Sequence, residues 1–195
     1  MKNVAIIGSG SWGVALAISL VKNGHGVKMW SYTEEECDLI NNKRECKYLP
    51  GVKIPDSITC STNLPEVVRG VDFIIHVTPS KYTREIFRQY KNYVGETPVI
   101  ICSKGFEKET LKTLDEVILE ELPTARIGAL SGPSHAEEVV INAPTVLVIA
   151  STHEDILELV QDTFMSKDLR IYIVRWQHKQ LLVSFSSQYS QCIFL

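Results

Sequence analysis

The chain has 195 residues, 45% of them apolar, which suffices for one good core and at most a second small unit. Its 20 Lys and Arg against 23 Asp and Glu leave a formal charge of -3, which excludes a general pull toward nucleic acid or an anionic membrane. Any anion must therefore be held by a local arrangement of groups.

Residues 3–7, Asn3-Val4-Ala5-Ile6-Ile7, are short, apolar and rich in β-branched side chains. Glycines follow, and then Val14, Ala15, Leu16, Ile18, Leu20 and Val21, so the opening reads as strand, turn and helix. Asn23-Gly24 ends that helix and 27–30 supplies a second strand, completing a βαβ unit whose crossover is expected to be right-handed. A helix near 33–42, a strand near 58–61, a short helix after Asn63 and a buried strand over 72–77 continue the alternation. Pro79 closes that strand and Ser80 is placed to cap the next helix. Strands are expected at 98–102, 126–130, 145–150 and 169–173, with helices at about 110–121, 134–141 and 153–164. Continuous apolar strands mark a sheet covered on both faces. The predicted fold is α/β, a doubly wound, mostly parallel Rossmann-type sheet over residues 1–173. Residues 174–195 show neither turn grammar nor a capped amphipathic period and are assigned to an atypical tail.

The five cysteines, Cys37, Cys46, Cys60, Cys102 and Cys192, are odd in number and form no C-x-x-C pair. That argues against a disulfide framework or zinc knuckle and for reduced thiols in the cytoplasm. No run approaches the ~20 apolar residues of a bilayer-crossing helix, and no secretion signal is read in residues 14–21. Neither nucleic acid nor membrane is expected as a partner, and no metal site is expected because the histidines lack ligand spacing.

The turn Gly8-Ser9-Gly10-Ser11-Trp12-Gly13 has the G-x-G-x-x-G spacing directly between a strand and a helix, the context in which it binds a dinucleotide. Gly8 serves the tight turn, Gly10 the approach of a pyrophosphate, and Gly13 close packing of helix on strand. The helix N-terminus offers unpaired N–H groups and about half a positive charge to the phosphates. Where the second strand ends, Trp30-Ser31-Tyr32 presents neither the carboxylate usual for NAD nor the cation usual for NADP, so the choice stays open. Ser31 or Tyr32 is placed to donate to either cofactor, and Glu34, Glu35 and Glu36 read as the acidic first turn of a helix. Ser103-Lys104-Gly105 and Ser131-Gly132-Pro133-Ser134-His135-Ala136-Glu137-Glu138 both follow strands at the carboxyl edge of the sheet, where open α/β folds bind ligands. His76, inside an apolar strand, reads as a hydrogen-bonded core or edge histidine, and His135 chiefly as packing.

These pieces together resemble the N-terminal domain of the bacterial NAD(P)-dependent glycerol-3-phosphate dehydrogenases. The resemblance rests on residues 8–13, the segment 42–51 (NKRECKYLPG), Val77-Thr78-Pro79-Ser80, Ser103-Lys104-Gly105, residues 131–138 and Ala143-Pro144-Thr145, in order along about 4–173. It implies hydride transfer between dihydroxyacetone phosphate and sn-glycerol 3-phosphate, a glycerophospholipid precursor, with NAD or NADP as cofactor. It further implies that Ser11, Trp12, Tyr32, Tyr48 and Ala136 lie along the cofactor with the glycines. Lys104, Gly132 and Ser134 would meet the small-molecule substrate, Lys104 touching the cofactor as well.

After the last strand the family continues into an all-helical domain whose entry carries a Glu-Leu, Gly-Ala, Lys-Asn pattern, its lysine used in proton transfer. Nothing after Val174 resembles it. The expectation is a truncated or frame-shifted form that keeps the cofactor cradle and lacks the catalytic lysine. A lost general acid or base costs ~10²–10⁴-fold in rate, so little turnover is expected of the chain alone. The resemblance leaves a homo-oligomer open for the full-length enzyme. Two alternatives stand beside this reading: a non-catalytic dinucleotide-binding module, and another two-domain NAD(P)-dependent reductase, against which the S-G-P-S-x-A-x-E motif argues.

Overall fold

The structure is a computed structural model that describes residues 1–175. Eight strands form one sheet: β1 (Asn3–Ile7), β2 (Gly26–Trp30), β3 (Thr59–Ser61), β4 (Phe73–His76), β5 (Val99–Ile101), β6 (Ile127–Ser131), β7 (Thr145–Ser151) and β8 (Leu169–Arg175). Their order across the sheet is β3-β2-β1-β4-β5-β6-β7-β8. Every neighbouring pair is parallel except β6 and β7, where Ser131 lies opposite Val148 in an antiparallel register. The mostly parallel, doubly wound expectation therefore holds, with strand order reversing around β1 and β4.

The alternation of side chains along β1 divides the core. Val4 and Ile6 face one layer with Val14, Leu16, Leu20, Val139, Ile156 and Phe164. Ala5 and Ile7 face the other with Ile74, Phe87, Tyr90, Val99 and Ile118. Helices α1 (Ser11–Lys22), α6 (Ala136–Val140) and α7 (Glu154–Phe164) cover the first face. Helices α3 (Leu64–Val68), α4 (Thr83–Tyr90) and α5 (Leu114–Glu121) cover the second. Because both faces are covered, Phe73, Ile74 and Ile75 on β4 are all fully buried, which is why that strand reads as an unbroken apolar run.

Local chemistry shifts several predicted boundaries. Helix α5 begins at Leu114, not near Thr110, because the Glu116 carboxylate accepts from the Thr113 N–H at 3.0 Å and sets the first turn there. The preceding segment folds back instead: Leu111 adopts a left-handed φ of 57° and Phe106 bridges to Thr113. Helix α6 begins at Ala136 rather than 134, with His135 just outside it donating its N–H to Glu138 at 3.3 Å. Helix α2 (Glu34–Asp38) passes into a wider π-type turn, Leu39–Lys43, ended by Arg44 at φ 57°. Ser80 makes no side-chain cap; it opens a 3₁₀ turn, Ser80–Tyr82, that runs into α4.

Val174 and Arg175, assigned above to the tail, complete β8 and pair with Ala150 and Ser151. The rest of that assignment, 176–195, lies outside the described residues. No described helix is long and apolar enough to cross a membrane, and no described group of His, Cys, Asp and Glu is arranged to hold a metal ion.

Candidate functional site

The turn between β1 and α1 has two glycines that the fold requires and one that it does not. Gly8 sits at φ 128°, and a Cβ there would lie 2.8 Å from the Val77 carbonyl oxygen. Its N–H donates to the Trp30 carbonyl at 3.0 Å, tying the turn to β2. A Cβ on Gly13 would fall 2.3 Å from the Gly8 oxygen, so the helix approaches the strand closely only without a side chain. Gly10 differs: its φ of -68° and ψ of 175° are open to any residue, and among the described residues nothing lies within 4 Å of where its Cβ would be. It leaves open space at the N-terminus of α1, which has no side-chain cap and no acidic residue in its first turn. Ser11 and Trp12 form that first turn, half-buried. Uncapped N–H groups facing open space suit an anion, and the helix dipole adds to them.

Beside this turn lies a carboxylate that the sequence did not single out. Glu36 of α2 points back toward β2, where Oε2 accepts from the Ser9 hydroxyl at 2.6 Å and also from the Ser31 hydroxyl. Its Oε1 accepts from the Tyr48 hydroxyl at 3.2 Å. Burial pushes this carboxyl upward, but donation from Ser31, Ser9 and Tyr48 outweighs it and holds the group below its ordinary value. Ser31 is buried and its hydroxyl is engaged inward, so it is not the free donor expected from its place after β2. Tyr32 is the exposed one, at 79%, and the ring of Tyr48 is half-exposed with its hydroxyl anchored.

At the same edge, exposed Lys104 follows β5. Its loop is fastened by Glu107, which takes two 2.7 Å bonds from the Arg84 guanidinium and a third, of 2.6 Å, from Thr110. Arg84 also binds Glu120 and Glu121 on α5. A narrow cleft of about 40 Å³ beside Lys104 is lined by Ser103, Asp115 and Ser131. Gly132 is required by the close passage of β7, since a Cβ would lie 2.6 Å from the Val146 oxygen. The Ser134 hydroxyl is buried with no partner among the described residues. Ala136 opens α6, which packs on α1. A larger cleft, of about 330 Å³, lies away from these residues and is lined by Lys22, Asn23, Asn142 and Asp168.

The structure thus brings the glycine turn, Tyr48 and the Lys104 loop to the carboxyl ends of β1, β2 and β5, with Gly132 and Ser134 beyond the end of β6. His76 is fully buried between the Tyr90 hydroxyl and Thr78, each at 2.9 Å. Burial lowers its pKa to about 4, which leaves it a neutral core group.

The profile of the NAD-dependent glycerol-3-phosphate dehydrogenase N-terminus matches residues 3–157. A glycerol-3-phosphate dehydrogenase [NAD(P)+] of Agathobacter rectalis is 41% identical over 174 residues, covering 88% of this chain and 52% of the relative. That of Lactiplantibacillus plantarum is 42% identical over 180 residues, covering 88% and 53%. The crystal structure of a glycerol-3-phosphate dehydrogenase from Coxiella burnetii superposes with a TM-score of 0.84 at 30% identity, covering 89% of this chain and 54% of that one. The chain spans about half the length of the curated relatives it matches.

Proposed function

Since the chain belongs to the NAD-dependent glycerol-3-phosphate dehydrogenase family, matching its N-terminal NAD-binding part, we propose that it holds the pyrophosphate of NAD(H) or NADP(H) on the turn 8–13 for reduction of dihydroxyacetone phosphate to sn-glycerol 3-phosphate. The observation that carries this reading is the open space at Gly10, framed by two glycines with no room for a Cβ, at an uncapped helix end. The residues present fit the cofactor: an anion there meets N–H donors and a favourable dipole with no acidic side chain in the first turn of α1 to oppose it.

The nicotinamide, when bound, supplies or accepts the hydride. This chain's residues do the rest of what is proposed for it. Gly10 admits the diphosphate, while Ser11 and Trp12 border it. Tyr48, anchored through Glu36, and exposed Tyr32 flank the far end of the dinucleotide. Lys104 places an ammonium where negative charge builds on the substrate oxygen, a stabilisation worth several kcal/mol in related oxyanion sites, of order 3. The Ser134 hydroxyl, which has no partner among the described residues, offers a donor to the substrate beside Gly132. The proton itself comes, by family resemblance, from a lysine of the helical domain, a pattern not found in this sequence after Val174. The chain alone is therefore proposed to bind cofactor with little turnover.

Titration of the chain with NADH and with NADPH, followed by an assay of dihydroxyacetone phosphate reduction, tests both parts. Stoichiometric binding with negligible oxidation supports the proposal. Absence of binding to either coenzyme overturns the cofactor assignment, and robust turnover overturns the division of labour.

A further inference from the structure

Cys37 on α2 and Cys60 on β3 lie with their sulfur atoms 2.7 Å apart, although they are 23 positions apart in sequence. The separation is longer than the 2.03–2.05 Å of a disulfide bond but close to it. Both cysteines are held firmly. The Asn41 side chain accepts from the Cys60 N–H and donates to the Cys60 carbonyl, each at 2.8 Å, and the Cys37 N–H is bonded into the helix at Thr33. The two residues also line an open cleft of about 390 Å³ with Glu34, Asn41, Ser61 and Thr62. Cys37 and Cys60 are themselves only 3% and 7% exposed, so a small polar oxidant reaches this facing thiol pair slowly, from the cleft. Cys46 and Cys102 are buried elsewhere, Cys46 with its thiol toward the Ser9 carbonyl at 3.6 Å.

We propose that Cys37 and Cys60 are a reversible thiol–disulfide site, closed by a hydroperoxide and reopened by a dithiol. In the first step a Cys37 sulfur attacks the peroxide, the O–O bond breaks, and the sulfur becomes a sulfenic acid as one water leaves. In the second step the Cys60 sulfur attacks that sulfenic sulfur, the S–S bond forms, and a second water leaves. Two thiols thereby lose two electrons and two protons, and hydrogen peroxide is reduced to two waters. Cys37 is the better attacker. Burial raises both thiols, but contacts with Cys60 and the Ser31 backbone offset part of the effect at Cys37, whereas Cys60 is pushed far up. The same burial slows both the closing of the bond and its reopening by a dithiol.

The bond would clasp α2 to β3 and close a loop that contains Tyr48, directly after Glu36, whose carboxylate anchors that tyrosine. Little movement is needed, so the Glu36 contacts persist and the oxidised chain is expected to melt on the order of 5–10 °C higher. The test is to expose the folded chain to hydrogen peroxide, remove the oxidant, unfold the chain in denaturant with an alkylating agent present, and digest without reduction for mass spectrometry. The expected result is a Cys37–Cys60 linked peptide that dithiothreitol removes, with Cys46 and Cys102 alkylated throughout. A Cys37→Ser variant should give no linked peptide. A folded chain that yields no Cys37–Cys60 link after prolonged oxidation, or yields other pairings in equal amount, overturns the proposal. Cofactor binding plays no part in this readout, so it stands or falls independently of the proposed function.

Discussion

Gly10→Ala separates the cofactor reading from a purely structural account of the glycine turn. The backbone at Gly10, φ -68° and ψ 175°, accepts alanine without strain, and no atom of the described residues lies within 4 Å of the new methyl. The folded chain should lose only the difference between glycine and alanine before a helix, about 1 kcal/mol, or roughly 2–4 °C in melting temperature. The methyl would instead stand in the space assigned to the diphosphate and hold it off the α1 N–H groups. Hydrogen bonds to charged groups contribute about 1.5–3 kcal/mol each, so losing two weakens binding by about 3–6 kcal/mol, or ~10²–10⁴-fold in Kd. Quenching or transfer of NADH fluorescence, read beside a thermal melt on the same samples, measures both quantities. An alanine variant that binds NADH within about threefold of the parent chain would refute the reasoning, because the open space would then not be where the anion sits.

Gly13→Ala should behave in the opposite way, since its methyl meets the Gly8 oxygen at 2.3 Å. Overpacking of about 1–3 kcal/mol outweighs the ~1 kcal/mol gain in helix propensity, so a thermal melt should show a lower midpoint, and an unchanged one would count against the steric role. The Arg84 guanidinium holds Glu107 at about 2, and Arg88 with Arg84 and Lys91 does the same for Glu121, both against an ordinary 4.5. Their stabilisation is therefore complete above about pH 4.5 and is lost as pH falls toward 2; Arg84→Met should flatten that stretch of a denaturant-monitored pH profile. His76, kept neutral by burial with a pKa of about 4 against 6.5, binds its proton later in the folded chain than in the unfolded one. Stability should fall as pH drops from about 6.5 to 4, and a His76→Gln profile that keeps the same slope would exclude this cause.

The glycine turn and the strand–helix alternation were legible because both rest on local signals: a short β-branched apolar run in β1, a longer apolar segment in α1, and glycines at fixed offsets between them. Much of the remaining site depends on contacts that spacing does not encode. Glu34, Glu35 and Glu36 look alike as the first turn of a helix, and only the folded positions of Ser9 and Ser31 pick out Glu36 as the one that turns inward. Ser31 follows a strand end that usually faces ligand, yet this carboxylate draws its hydroxyl into the core. The direction of β7 was equally hidden, because an apolar run of alternating burial reads the same in either orientation. Helix α5 started late because the Glu116 carboxylate caps Thr113, a local choice that competed with the acidic and polar residues before it. The Cys37 and Cys60 thiols meet only once α2 has folded over β3, so counting cysteines by spacing was bound to miss them.

The most direct test of the central claim is isothermal titration calorimetry of the folded chain against NADH and NADPH. A saturable one-to-one heat with at least one reduced coenzyme, weakened strongly in Gly10→Ala, is the predicted result. No heat with either coenzyme on protein whose circular dichroism and melting show a folded α/β domain would contradict the account.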